Sequence, residues 1–176
     1  MRTHLPSAGR PSSEILTDLA ALRAGDADYK GGRTWSMVYW AGEEHHALVR
    51  AAHDAMLAEN GLNPMAFRSL KQMEAEVVQW TARLLHGPAS TVGCLSSGGT
   101  ESILLAMKTW RDAAKARRPW VLRPNVVLPA SAHPAFDKAA HLFGLRLKKA
   151  RLTPDGGVDV ADVKRKIDRN TILLVG

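Results

Sequence analysis

The sequence predicts an α/β domain, with a mainly parallel sheet flanked by helices and preceded by a helical N-terminal segment. Two observations carry that reading. From Thr91 onward, short apolar runs alternate with longer stretches of helical periodicity, the order expected of strand–helix–strand units with right-handed crossovers. Before Thr91 the periodic stretches read as helices, with Pro, Gly and Asn at their junctions.

Residues 1–12 are polar, contain Pro6 and Pro11, and read as an arm. Ser12 or Ser13 can cap a short helix through Ile15, Leu16, Leu19 and Leu22. Lys30-Gly31-Gly32-Arg33 is a turn into Thr34-Trp35-Ser36-Met37-Val38-Tyr39-Trp40, an aromatic stretch that is extended or irregular. Residues 43–59 are expected to be helical, with Leu48, Ala51, Ala52, Ala55 and Met56 on one buried face. Asn60-Gly61 stops that helix and Pro64 follows. Residues 69–86 form another, with Leu70, Met73, Val77, Trp80 and Leu84 at helical intervals.

Beyond this point a short strand over residues 91–95 meets the loop Ser96-Ser97-Gly98-Gly99, and a helix runs from Thr100 to about Arg117. Residues 125–128 are a strand stopped by Pro129. Pro134 opens a helix at its first position and Gly144 closes it. Residues 145–152 form a strand, Pro154-Asp155-Gly156-Gly157 a turn, and Asp159 caps a helix through Ile167. Residues 171–175 are the last strand. The organisation expected is an arm and helical segment over residues 1–60, then the first part of a larger domain over residues 61–176. Because ligand loops leave the carboxyl ends of strands in open α/β sheets, an end at Gly176 reads as an interruption.

A chain of 176 residues that is 45% apolar and 23% charged can bury a real core. Cys94 is the single cysteine, so no intrachain disulfide forms and a reducing compartment fits. No signal-peptide core stands at the N-terminus, and no apolar run nears the roughly 18 residues that cross a bilayer. The expectation is a soluble cytoplasmic protein without a membrane span. The net charge of +7 raises the question of nucleic acid. The basic residues, however, fall on three elements: Arg111, Lys115, Arg117 and Arg118 at one helix end, Lys148, Lys149 and Arg151 on a strand, and Lys164, Arg165 and Lys166 on another helix. Solvated faces and attraction to a phosphorylated small molecule account for them better than a nucleic-acid partner does.

The strongest local signal is Ser96-Ser97-Gly98-Gly99-Thr100-Glu101-Ser102. Glycines there let backbone N–H groups approach an anion, and the following helix turns its positive end to the same place. A tight strand-to-helix turn without a ligand fits the same residues. His133, in His133-Pro134-Ala135-Phe136-Asp137-Lys138-Ala139-Ala140-His141, falls at a strand–helix junction on the same sheet edge. It suits either stacking on an aromatic cofactor ring or capping a helix. His141 reads as surface or packing. Asn60 and Asn63 suit helix-end caps, and Glu74 and Glu76 are too divergent on a helix for a carboxylate pair. Glu43-Glu44-His45-His46 with His53 lacks a zinc-ligand arrangement, and no metal is expected. Trp35, Tyr39, Trp40 and Trp80 suit core or interface positions.

Taken together, these segments resemble the sphingosine-1-phosphate lyase branch of the pyridoxal-phosphate (PLP)-dependent decarboxylases. Residues 97–106 resemble its cofactor-phosphate loop and residues 133–140 its histidine motif. Residues 125–129 and 170–176 match its intervening strands in order, and Gly31-Gly32-Arg33, Val38-Tyr39 and residues 60–67 extend the match upstream. The resemblance implies the large domain of a type I PLP-dependent transferase fold, incomplete here. It implies that Ser97, Gly98, Gly99 and Thr100 bind the PLP phosphate, with Gly99 and Thr100 foremost, while His133 stacks on the pyridine ring. It also implies that Tyr39, with His133, serves catalysis, and that Tyr39, Asn60 and Asn63 line the substrate site from the partner subunit of a homodimer. The activity implied is cleavage of a phosphorylated long-chain amino alcohol to an aldehyde and phosphoethanolamine. The alternatives are a PLP-dependent amino-acid decarboxylase and a catalytically dead truncated module paired with an intact subunit.

Three departures stand out. Asn63 occupies a position where many of these lyases have histidine, and Trp35 replaces a small residue. Neither the family's acidic partner of the pyridine nitrogen nor its cofactor-bonding lysine is matched here, Lys138 included. This polypeptide by itself is therefore expected to be inactive.

Overall fold

A helix forms at each stretch where the 3.6-residue spacing predicts one. The computed structural model describes residue 4, residues 7–63 and residues 65–176; Pro6 and Pro64 lie outside the described residues. The chain divides into two compact units, Met1–Leu70 and Lys71–Gly176.

The first unit carries α1 (Ser12–Arg23) and α2 (Glu43–Ala55). Neither Ser12 nor Ser13 caps α1, because Pro11 takes the N-cap position and Ser12 is already helical. Arg10 ties the arm down instead, reaching Asp18 at 2.7 Å and Glu14 at 3.3 Å. Helix α2 stops at Ala55, short of the expected residue 59; Met56 leaves helical geometry and donates to His53 O at 3.1 Å. The face expected to be buried is exposed, with no residue of α1 or α2 in a core. Apolar periodicity specifies a face that needs covering, and nothing among the described residues covers this one. Residues 34–40 are irregular, and Ser36 adopts a positive φ of 52°. Trp35 and Tyr39 are 88% and 93% exposed, contrary to a core role. Trp40 is half-buried, in edge contact with Tyr29, tilted against His46, and under the Lys30 ammonium.

Helix α3 (Arg68–Leu84) leads into the second unit, which carries α4 (Gly99–Arg117), β1 (Asn125–Pro129), α5 (Ala135–Phe143), β2 (Arg146–Ala150), α6 (Val160–Lys166) and β3 (Thr171–Leu174). The strands form a parallel sheet in the order β2-β1-β3. Central β1 is buried along Val126, Val127 and Leu128, as its continuous apolar run requires of a strand covered on both faces. β2 and β3 flank it on opposite sides, so right-handed crossovers put α5 and α6 on opposite faces. The core gathers Met107 and Ala114 of α4, Ala139 and Ala140 of α5, Val126, Leu145 and Ile172.

Local chemistry closes the elements. Gly144 adopts the left-handed conformation (φ 65°) that ends α5. Asp159 caps α6, its Oδ1 accepting from Asp162 N at 2.9 Å. Pro134 is the N-cap of α5, one position before the helix starts. Asn125 is buried because its amide donates to Asp168 at 2.9 Å and its oxygen accepts from the Thr171 hydroxyl at 2.8 Å. The cations expected on solvated faces meet local carboxylates: Lys148 pairs with Asp168, Lys149 with Asp137, Arg151 with Asp159, and Arg165 and Lys166 with Asp162.

Three further expectations need correction. Residues 91–95 form no strand. The three strands pair only through central β1, and residues 91–95 join neither outer edge; this segment is fastened instead to α3 through Gln79 Nε2 to Thr91 O (3.0 Å) and Leu95 N to Glu74 Oε1 (2.8 Å). β2 ends at Ala150, because β1 has run out at Pro129; Leu152 bridges only to Val158 across the turn. The face of α3 carrying Met73, Val77, Trp80 and Leu84 is exposed, and it is the small Ala82 that is buried.

Candidate functional site

Helices α4 and α5 both run back against the strands. The C-terminal end of α4 reaches the start of the sheet, where Arg118 Nη2 donates to Thr171 O at 3.1 Å. Arg111 lies over the Phe143 ring at the C-terminal end of α5. The opposite ends of these helices, Gly99 and Ala135, therefore lie toward the rim where the parallel strands terminate. That rim receives both the glycine loop and His133.

The loop is built to leave amides unengaged. Ser102 N is the first amide of α4 to find an acceptor, Gly98 O at 3.1 Å. Among the described residues, no acceptor meets the amides of Gly98, Gly99 and Thr100 or the Thr100 hydroxyl. A Cβ added at Gly98 or Gly99 would meet nothing within 4 Å. The space in front of these glycines is open to a ligand, and the helix's positive end adds to the attraction for an anion. Ser97 stands apart from the others. Its N–H and its hydroxyl both donate to Glu101 Oε2, at 2.6 and 2.7 Å, and these bonds, the hydroxyl's first, hold the Glu101 carboxyl below its ordinary range. Sequence reasoning passed over Glu101, although an acidic residue in a helix's first turn that reaches back to a preceding amide is the logic of a capping box.

His133 is exposed on the rim, and its Nδ1 accepts from Ala135 N at 3.1 Å. One ring nitrogen thus orients the imidazole at the start of α5, while the ring itself remains accessible. The residues fit a PLP phosphate and ring at this rim, with open amides for the one and a fixed flat side chain for the other.

Tyr39, Asn60 and Asn63 belong to the first unit and are all exposed. Asn60 Oδ1 accepts from Leu62 N at 3.1 Å, and Asn63 Oδ1 accepts from Met65 N at 3.0 Å. Both close local turns rather than capping a helix as expected, because α2 has already ended at Ala55 and α3 begins only at Arg68. Glu74 serves Leu95 N while Glu76 takes Gln72 Nε2 at 2.8 Å, so the two carboxylates do not act together. His141 is exposed. Glu43 pairs with Lys30 at 2.6 Å, and no cluster of metal-ligating side chains occurs among the described residues.

Comparison with known proteins decides the family. The pyridoxal-dependent decarboxylase conserved domain matches residues 29–173. The chain belongs to the pyridoxal-dependent decarboxylase family. The cofactor of this family is PLP. Among its similar members, sphingosine-1-phosphate lyase 1 of Mus musculus is 39% identical over 97% of this chain and 30% of its own length. The sphingosine-1-phosphate lyase of Oryza sativa subsp. japonica is 38% identical over the whole chain and 34% of its own. The solved structure of the Burkholderia pseudomallei K96243 sphingosine-1-phosphate lyase superposes with a TM-score of 0.85 at 34% identity, covering all of this chain and 42% of that one. The α/β architecture of this pyridoxal-dependent decarboxylase chain is thus that of the family's solved members. It spans about a third of the length of the curated relatives it matches. Among the described residues, no helix is long and apolar enough to cross a membrane.

Proposed function

We propose that this chain carries the cofactor-phosphate side of a PLP-dependent carbon–carbon lyase. The reaction is cleavage of a phosphorylated long-chain amino alcohol to an aldehyde and phosphoethanolamine, a step of sphingolipid breakdown. One arrangement supports the reading: unengaged amides at the start of α4 and an accessible His133 before α5, at helix ends that both lie toward the carboxyl ends of the strands, in a chain of this family. The sphingosine-1-phosphate lyases among its relatives support the choice of substrate class.

Bound at this rim, PLP supplies the electron sink that makes carbon–carbon cleavage beside an amine feasible. The chain's own residues bind and orient. Gly99 and Thr100 receive the phosphate, with Gly98 keeping the approach open. His133, steadied by Ala135 N–H, lies against the ring and keeps water from that face. Tyr39, Asn60 and Asn63 line the substrate side from the partner subunit of a homodimer, with the Tyr39 hydroxyl serving proton movement near the reacting carbons. The exposed apolar side chains of α1 and α2, such as Leu16, Leu22 and Leu48, support a partner surface. The excess of cations favours a phosphorylated substrate. Free, exposed Cys94 is in keeping with the cytoplasm.

The test uses the full-length protein reconstituted with PLP and offered a long-chain phosphorylated amino alcohol. Release of long-chain aldehyde with phosphoethanolamine is expected. Carbon dioxide release from an amino acid without aldehyde, or failure to retain PLP, overturns the proposal.

A further inference from the structure

Glu101 stands in the first turn of α4, with its Oε2 accepting from both Ser97 donors at 2.6 and 2.7 Å. Beside that pair a second one crosses the loop: Ser96 Oγ lies 2.6 Å from Ser102 Oγ and donates to Gly98 O at 3.1 Å. Both serines that precede the glycines are therefore fastened to the helix that follows them. Between the fastenings stand Gly98, Gly99 and Thr100, whose amides meet no acceptor among the described residues. A serine hydroxyl has one proton to donate. That of Ser97 is given to Glu101, and so is its amide, which leaves Ser97 without a donor for an anion.

We propose that Glu101 is a positioning residue: by pinning Ser97 through both donors it fixes the loop, so that the cofactor phosphate is received by the Gly99 and Thr100 amides and the Thr100 hydroxyl, with no hydrogen bond from Ser97. The inference rests on the PLP reading above and deepens it. A loop held in its binding geometry before the ligand arrives does not lose ordering entropy on binding. The carboxylate contributes by holding the loop, and makes no contact with the phosphate.

The experiment measures PLP dissociation constants on the full-length protein, stripped of cofactor and titrated by absorbance, with the ³¹P resonance of the bound cofactor as a second readout. The variants are Glu101→Ala, Glu101→Gln, Ser97→Ala and the double Ser97→Ala/Glu101→Ala. Glu101→Ala is expected to weaken PLP by about tenfold, the scale of one lost hydrogen bond to a charged group. Glu101→Gln keeps an oxygen acceptor and should stay within about threefold of wild type, with an unshifted ³¹P resonance. Once Glu101 is alanine, removing the Ser97 hydroxyl should cost less than about threefold more. A tenfold further loss in the double variant would identify Ser97 as a direct phosphate ligand and overturn the proposal. A Glu101→Ala protein that binds like wild type overturns it equally. Where Glu101→Ala does not fold, Glu101→Gln decides: near-wild-type affinity supports the clamp, and a loss of tenfold or more refutes it. Wild-type protein that takes up no PLP sinks the underlying reading instead.

Discussion

Replacing Gly99 by alanine should move stability and cofactor affinity in opposite directions. Gly99 opens α4, and a Cβ placed there meets nothing within 4 Å. Alanine removes backbone freedom from the unfolded chain and raises helix propensity, a gain of about 0.5–1 kcal/mol in a helix interior. At the first position the lower end of that range applies. The same Cβ occupies the open space through which a phosphate would approach the Gly99 amide. Blocking one hydrogen bond to a charged group costs about 1.5–3 kcal/mol, which is roughly a 10- to 150-fold rise in the dissociation constant. Urea denaturation of the PLP-free, full-length protein reads the first effect, and absorbance titration with PLP reads the second. The stability comparison must be made without cofactor, since bound PLP stabilises by mass action. An alanine variant that gains stability and still binds PLP within threefold of wild type would place the phosphate elsewhere and refute the reasoning. A variant that loses stability would refute the reading of the space at Gly99 as open.

Three further outcomes are expected. His133→Phe keeps a flat ring but loses the Nδ1 acceptor for Ala135 N–H; PLP affinity should stay near wild type while urea stability falls by about 0.5–2 kcal/mol, the worth of a helix cap, whereas His133→Ala should lose both. Met107→Ala removes three heavy atoms from a fully buried side chain, so about 0.8 kcal/mol for each methylene-sized group gives roughly 2.4 kcal/mol before any cavity term. Leu105→Ala, on the exposed side of the same helix, should cost clearly less in the same denaturation assay. The third concerns acid. Lys148, then Asn125, then the Asn170 N–H hold the Asp168 carboxyl well below its ordinary range. A depressed folded value stabilises above the unfolded value of about 3.9 and loses that contribution as pH falls further. Asp168→Asn should therefore be less stable than wild type at neutral pH, with the gap in urea midpoints closing below about pH 4. A gap that does not change with pH would mean that the ion pair is not its source.

Local pattern determined much of this protein. Spacing alone located α3 and α4, because helical periodicity is a property of the segment itself. The run Val126-Val127-Leu128 announced a strand, and the fold buries all three residues. Gly144 and Asp159 marked helix ends, since a left-handed residue and a side-chain cap depend only on neighbours in the chain. The ordered set of glycine loop, histidine junction and apolar strands carried the family, which the domain match then bore out. Burial and pairing were decided in three dimensions. Residues 91–95 look like a strand in sequence, yet a strand exists only with a partner strand, and this segment's bonds at Thr91 O and Leu95 N go to side chains of α3. The apolar faces of α2 and α3 stated what they could pack against, while exposure depends on what lies over them. The family resemblance implied that Ser97 binds the cofactor phosphate. Only the folded turn brought the Glu101 carboxylate onto both of its donors, because a hydrogen bond is set by distance and direction, which sequence spacing does not fix.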